Sequence, residues 1–244
     1  MSAVHYHPMP DGRRIAYRHT PGAGPALVFL PGYMSDMAGS KAGAVFDWAQ
    51  AQGRECLLLD YSGCGDSDGL FADGTLSRWR DEVLALIGAK CAGQVVLVGS
   101  SMGGWLMLLV ALAAPARVAA LVGIAAAPDF TEWGYTPEQK AQLARGETVL
   151  EANPYGPDLT PTYAAFWRDG QAQLLLDQPI ALDCPVRLLH GQADADVPWE
   201  TALRLAGALR SADVQVSAVK DGDHRLSRAA DIALLLRTIA ALPC

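Results

Sequence analysis

The sequence predicts an α/β protein with a mostly parallel, eight-stranded sheet and helices on both faces. Short apolar runs rich in Val, Ile and Leu alternate with longer segments of helical character, which is typical of a parallel sheet covered on both sides. The runs show little polar–apolar alternation, as expected for strands buried on both faces. At 244 residues, we expect a single domain spanning residues 1–244.

The first two strands are predicted to form a hairpin that makes the sheet mixed. The runs Val4–His7 and Arg13–His19 flank the turn sequence Pro10-Asp11-Gly12, a typical hairpin arrangement. The remaining six strands are predicted at Ala26–Leu30, Cys56–Asp60, Gln94–Val98, Val118–Ala125, Val186–His190 and Val214–Val219. The helices between them are predicted at Ser40–Gln52, Leu76–Ala89, Met102–Ala114, Trp199–Leu209 and Arg228–Ala241.

One connection, Asp129–Asp183, is far longer than the roughly 2–6 residues usual between strand and helix. It carries helix signals of its own, since Thr136 suits an N-cap with Pro137 at the first helical position. We interpret it as a helical lid over a binding pocket. The alternative is a satellite core against the sheet edge. Its aromatic residues are Phe130, Trp133, Tyr135, Tyr155, Tyr163, Phe166 and Trp167.

Composition excludes several classes of function. With 19 Lys and Arg against 26 Asp and Glu, the net charge is −7, which argues against a nucleic-acid partner because phosphate binding needs a basic face. The longest apolar stretches, Trp105–Ala114 and Val118–Ala127, fall well short of the roughly 20 residues that span a bilayer, so no stable membrane insertion is expected. Five scattered cysteines without a CxxC pair and an N-terminus without an apolar signal region predict a cytoplasmic protein without structural zinc.

The strongest chemical signal is a candidate nucleophile, Ser101. Gly99-Ser100-Ser101-Met102-Gly103 fits G-x-S-x-G directly after a predicted strand and at the start of a helix. A serine on such a sharp turn needs small neighbours two residues away, and the helix N-terminus favours developing negative charge. Ser100 fails the pattern, because Val98 and Met102 would occupy its glycine positions.

A nucleophilic serine requires a base and a carboxylate that orients the base, in the chain order Ser, acid, His. His224 is the one histidine late in the chain, directly after the last predicted strand. His5, His7 and His19 are interpreted as surface residues of the hairpin, and His190 as a structural histidine at a strand end. Asp194 and Asp196 both follow the penultimate strand, and spacing alone does not separate them.

Two backbone N–H groups are predicted to form an oxyanion hole. Met102 follows the nucleophile, and its N–H is one expected donor. The second expected donor is the N–H of Tyr33, since the preceding Pro31-Gly32 allows a sharp turn after the first parallel strand.

Taken together, these stretches resemble α/β-hydrolase-fold serine hydrolases over essentially the whole chain. Within that superfamily the sequence is similar to the abhydrolase group that contains a mitochondrial depalmitoylase also cleaving acyl glucuronides. The animal members carry an N-terminal targeting segment, and we expect this chain to lack one. The matching stretches are Leu30–Ser35, Asp60–Gly65, Gly99–Trp105, Val186–Gly191, Val197–Trp199 and Asp223–Arg225.

The resemblance implies a division of roles among these residues. The family pattern H-G-x-x-D-x-x-V-P places the acid at Asp194, with Ser101 as nucleophile, His224 as base, and Tyr33 and Met102 as oxyanion donors. It implies a hydrolase without cofactor or metal that cleaves thioesters or esters of small molecules or acylated proteins.

Two alternatives stay open at this stage. The same triad would serve a carboxylesterase or C–C bond hydrolase acting on small aromatic or dicarbonyl compounds. A binding protein that keeps the fold without turnover is the other alternative.

Overall fold

An eight-stranded mixed sheet forms the centre of the computed structural model, which describes residues 3–153 and 156–243. Two further short strands pair only with each other, as an antiparallel ribbon. In chain order the strands are β1 His5–Pro8, β2 Arg14–Thr20, β3 Ala23–Leu30, β4 Arg54–Leu59, β5 Val95–Ser100, β6 Val118–Ile124, β7 Val149–Glu151, β8 Thr160–Thr162, β9 Val186–Gly191 and β10 Val214–Val219.

The sheet order is β1-β2-β4-β3-β5-β6-β9-β10. Strand β2 pairs antiparallel with β1 and β4, whereas all other neighbours in the sheet are parallel. The predicted mixed, eight-stranded sheet is therefore confirmed. Because parallel strands end at the same edge, the segments that follow β3, β5, β9 and β10 meet there.

Helices cover both faces of the sheet, as predicted. The helices are α1 Ser40–Ala51, α2 Leu76–Lys90, α3 Met102–Ala113, α4 Phe130–Trp133, α5 Pro137–Ala144, α6 Ala164–Gln171, α7 Glu200–Ala208 and α8 Ala229–Ala240. One apolar core contains side chains of α1 and α8, and the other contains side chains of α2, α3 and α7. Within β4 the pattern alternates: Leu57 and Leu59 enter one core, and Cys56 and Leu58 enter the other.

Helix α3 lies deep in the protein, and its residues 102–111 are all buried. It packs against β5 and α2, so an unbroken apolar sequence suits its position. Its 12 residues are too few to cross a bilayer, and no other helix in the described ranges is long and apolar enough to do so.

The long connection between β6 and β9 contains α4, α5, β7, β8 and α6. The capping box of Thr136 and Gln139 begins α5, in agreement with the predicted N-cap. The β7–β8 ribbon was not predicted, because two three-residue strands are too short to show a periodic pattern. The buried Asp129 carboxylate accepts hydrogen bonds from the N–H groups of Leu175 and Leu176, which ties the start of the connection to its later part.

Two aromatic residues of this connection, Phe130 and Phe166, pack with the apolar core. Phe166 is buried and lies 4.9 Å from Tyr33 and 5.7 Å from Phe130, ring centre to ring centre. The indole N–H of Trp167 donates to the Thr131 carbonyl. Tyr155 lies outside the described residues.

Candidate active site

Ser101 lies in a strained turn between β5 and α3. Its backbone has φ 54° and ψ −121°, a conformation costly for a residue with a side chain. The Ser101 N–H donates to the Ile124 carbonyl at 2.9 Å, so the neighbouring strand β6 helps to hold the turn. This turn places the Ser101 hydroxyl at the carboxyl edge of the sheet.

Glycines two residues on either side make this turn possible. A Cβ atom on Gly99 would lie 2.3 Å from the Gly103 carbonyl oxygen, and one on Gly103 would lie 2.1 Å from the Leu30 carbonyl oxygen. Both distances are far below a van der Waals contact. Without side chains at these positions, α3 approaches both its own strand and the loop that follows β3.

His224 bridges the serine and an acidic residue. Its Nε2 lies 3.0 Å from Ser101 Oγ, and its Nδ1 lies 2.9 Å from Asp194 Oδ2. A carboxylate accepts only, so Nδ1 carries the proton and Nε2 is left to accept the hydroxyl proton of Ser101. The structure thus brings together the three side chains that the sequence pattern selected.

Asp194, rather than Asp196, contacts the histidine. The Asp194 side chain is fully buried, and its Oδ1 accepts the N–H groups of Asp196 and Val197, each at 2.9 Å. Burial alone would raise the pKa of Asp194. Hydrogen bonds from His190 and His224 outweigh burial and hold the pKa well below its usual value. Asp194 therefore stays ionised, while Asp196 is exposed.

His190 also contacts this carboxylate, which the sequence interpretation missed. Its Nε2 lies 3.1 Å from Asp194 Oδ2 and 3.2 Å from the Val197 carbonyl, and the residue is fully buried. The interpretation as a structural histidine accounts for the second contact only. Its place four residues before the acid in H-G-x-x-D was the available signal.

The hairpin histidines do not enter the site. His19 pairs with Glu55 at 2.9 Å, and His5 is exposed whereas His7 is half-buried. The residues that line the pocket do not include any of the three.

The two predicted oxyanion donors lie beside Ser101. Tyr33 and Met102 both line the pocket, and neither backbone N–H donates to another of the residues that the structure describes. A Cβ on Gly32 would lie 3.4 Å from Ser101 Cβ, so the loop after β3 lies against the candidate nucleophile. The Tyr33 hydroxyl donates to the Pro161 carbonyl at 2.8 Å, which links this loop to β8.

These residues open onto a cavity of about 720 Å³, a size typical of small-molecule sites. Three aromatic residues of the β6–β9 connection line it, namely Phe130, Trp133 and Tyr135. The connection therefore contributes partly to the pocket and partly to an aromatic core.

A basic corner lies on the His224 side of the cavity. Lys41 and Arg225 both line it, and the Lys41 ammonium donates to the Arg225 carbonyl. Burial, assisted by the neighbouring Arg225, lowers the pKa of Lys41 to about 8. The lysine thereby ties α1 to the loop that carries His224.

Asp194, Asp196 and His224 bring one oxygen or nitrogen atom each within 4.8 Å of one another. Both Asp194 oxygens already accept two hydrogen bonds. The cluster is engaged in a hydrogen-bonded chain, and we assign no metal to it.

The chain belongs to the alpha/beta hydrolase family, whose model it matches over residues 27–235. The human palmitoyl-protein thioesterase ABHD10, mitochondrial, is 40% identical over 234 residues, which cover 94% of this chain and 76% of the relative. The fold and the named relatives together identify the protein as an enzyme that cleaves esters or thioesters.

Two solved structures are also similar over nearly the whole chain. Alpha/beta hydrolase domain-containing protein 10 from mouse has a TM-score of 0.91 and 37% identity, covering 98% of this chain and 97% of that one. A putative hydrolase from Agrobacterium vitis S4 has a TM-score of 0.91 and 38% identity, with coverages of 98% and 99%. The predicted fold family is confirmed.

Proposed function

We propose that this protein is a serine hydrolase that cleaves acyl thioesters through Ser101, His224 and Asp194. The observation that carries the proposal is the continuous chain of hydrogen bonds from Ser101 Oγ through the His224 ring to Asp194 Oδ2, at 3.0 and 2.9 Å. These hydrogen bonds connect a nucleophile, a base and a carboxylate that orients the base.

In the first half of the reaction, Ser101 Oγ attacks the acyl carbonyl carbon while its proton passes to His224 Nε2. The negative charge moves to the carbonyl oxygen, where the N–H groups of Tyr33 and Met102 donate hydrogen bonds. The bond between carbon and leaving sulfur then breaks. His224 gives its proton to the departing thiolate, and an acyl ester remains on Ser101.

In the second half, water replaces the thiol. His224 Nε2 takes a proton from the water as its oxygen attacks the acyl carbon. The bond to Ser101 Oγ breaks and the serine recovers the proton, which releases a carboxylic acid. Throughout, ionised Asp194 stabilises the imidazolium form of His224.

The proposed substrates are fatty-acyl thioesters, including acylated proteins. The support is the relative's name, which describes a palmitoyl-protein thioesterase, together with the aromatic lining from Phe130, Trp133 and Tyr135. We propose that residues 129–183 act as a lid within a single domain, since part of this segment lines the pocket and β8 contacts the Tyr33 side chain.

We also propose a reducing, cytoplasmic location. Cys56, Cys64, Cys91 and Cys184 are all free thiols, which supports a reducing compartment, whereas Cys244 lies outside the described residues. The human relative is named as mitochondrial. Fractionation of the native host, with an antibody against the protein, tests this location. Recovery in an organelle or in another fraction outside the cytoplasm would contradict the proposal.

The proposed reaction is tested by hydrolysis of p-nitrophenyl esters and acyl-thioester analogues from two to sixteen carbons. The wild type is compared with Ser101→Ala and with Ser100→Ala, the matched control at the adjacent serine. We expect Ser101→Ala to lose nearly all turnover and Ser100→Ala to keep most of it, with rates rising toward long thioesters.

Other outcomes separate the mechanism from the substrate. A maximum at short or aromatic esters that still depends on Ser101 would keep the triad and reject the thioester proposal. Full turnover by Ser101→Ala would reject the mechanism itself. A wild type that reacts with neither the substrates nor a fluorophosphonate probe would favour a binding protein.

A further inference from the structure

His190 is a second histidine on the carboxylate that orients His224. It is the penultimate residue of β9, only a short loop before Asp194, and its side chain is fully buried. The ring nitrogen Nε2 faces two acceptors, Asp194 Oδ2 at 3.1 Å and the Val197 carbonyl at 3.2 Å. A nitrogen that faces only acceptors must carry a proton, so Nε2 is the donor.

The other ring nitrogen defines the charge of the ring. His190 Nδ1 is buried and has no hydrogen-bond partner among residues 3–153 and 156–243. A proton on Nδ1 would leave a buried N–H group of a cation unpaired, which is costly. His190 is therefore a neutral donor with its proton on Nε2, whereas His224 carries its neutral-state proton on Nδ1.

The two histidines donate to the same carboxylate oxygen. Asp194 Oδ2 accepts from both His190 Nε2 and His224 Nδ1, while Oδ1 accepts two backbone N–H groups. Donation from His190 fixes the direction of the carboxylate. It also withdraws part of the negative charge that would otherwise attract a protonated His224.

We propose that His190 is a positioning residue, which acts through Asp194 to orient the carboxylate and to reduce the basicity of His224. The proposal rests on the proposed function of Ser101, His224 and Asp194. It predicts a loss of rate and a change in pH dependence when the donor is removed. A residue that only anchors the loop through Val197 would not change the pH dependence.

Two substitutions separate these roles. His190→Phe keeps a ring of similar size and removes the donor, and His190→Gln returns an N–H donor near the position of Nε2. His19→Phe is the matched control, because it removes a different histidine–carboxylate contact, that of His19 and Glu55 in the hairpin. The charged groups around His224 are unchanged in all variants: Asp194 in contact with it, Asp223 and Arg225 beside it in sequence, and Lys41 and Asp196 in the same pocket.

The readout is the rate of Ser101 labelling by a fluorophosphonate probe as a function of pH, normalised to the folded fraction. This rate depends on His224 as base and requires no particular substrate, so a failure of the thioesterase proposal is recognised separately. We expect His190→Phe to label about 10- to 100-fold more slowly, because displacing a catalytic group by about 1 Å costs on the order of 100-fold in rate. The midpoint of its acid limb should move to higher pH.

His190→Gln should recover most of the rate and return the midpoint toward the wild-type value. His19→Phe should change neither quantity. The proposal is overturned if His190→Phe labels at the wild-type rate, or if its midpoint does not move. It is also overturned if His190→Gln is as slow as His190→Phe. Should His190→Phe not fold, the rate and midpoint of His190→Gln relative to His190→Leu decide in the same way.

Discussion

Gly103→Ala tests whether the approach of α3 to the β3 loop sets up the active site. A Cβ on Gly103 would lie 2.1 Å from the Leu30 carbonyl oxygen and 2.4 Å from that of Pro31. Both are about 1 Å short of a van der Waals contact, and both neighbours are backbone. The helix or the loop must therefore shift.

The expected magnitude combines two opposing effects. Overpacking costs about 1–3 kcal/mol, and replacing glycine within a helix returns about 1 kcal/mol, so we expect a net loss of up to about 2 kcal/mol. The effect on turnover should be larger, because Leu30 and Pro31 shortly precede Tyr33, whose N–H is a proposed oxyanion donor. A displacement of about 1 Å at a catalytic group costs on the order of 100-fold in rate.

The matched control is Gly88→Ala in α2, where an added Cβ meets no atom within 4 Å. It should stabilise the fold by about 0.5–1 kcal/mol without changing turnover. Denaturant unfolding and ester hydrolysis measure both quantities. The reasoning is refuted if Gly103→Ala is as stable as Gly88→Ala and retains full turnover.

Two further predictions concern ionisation. Folding lowers the pKa of Asp194. Its charge therefore stabilises the fold at pH values above 3.8, the ordinary pKa of this carboxyl group, and the contribution is lost as the pH falls from 3.8 toward the lower pKa of the folded state. Asp194→Asn should therefore have a lower Tm than wild type at pH 6, a gap that narrows toward pH 3, and should lose about 10⁴-fold in turnover; an equal gap at both pH values would contradict this. Burial raises the pKa of the Cys64 thiol to about 12, so iodoacetamide at pH 8 should leave Cys64 unmodified in the native enzyme and modify it after unfolding, as peptide mass spectrometry would detect. Rapid native alkylation of Cys64 would contradict its burial.

The elements of the sheet could be predicted because each is encoded locally. The five helices with predicted bounds and the eight strands of the main sheet lie within a few residues of those bounds, since apolar runs and turn residues reflect burial within each segment. Ser101 could be recognised for the same reason, because its turn requires glycines at fixed short spacings. The β7–β8 ribbon could not be predicted from such short strands.

The sequence by itself determined the fold family, and it singled out the candidate nucleophile and the chain order of the three candidate catalytic groups. Residue spacing alone did not separate Asp194 from Asp196, although the family resemblance implied Asp194. The tertiary structure shows that Asp194 contacts His224 and that His190 shares the same oxygen. The physical reason is distance along the chain: His224 lies 30 residues from Asp194 and 123 from Ser101. A hydrogen bond between such groups depends on three loops converging at one sheet edge, and no local pattern encodes which oxygen faces which nitrogen.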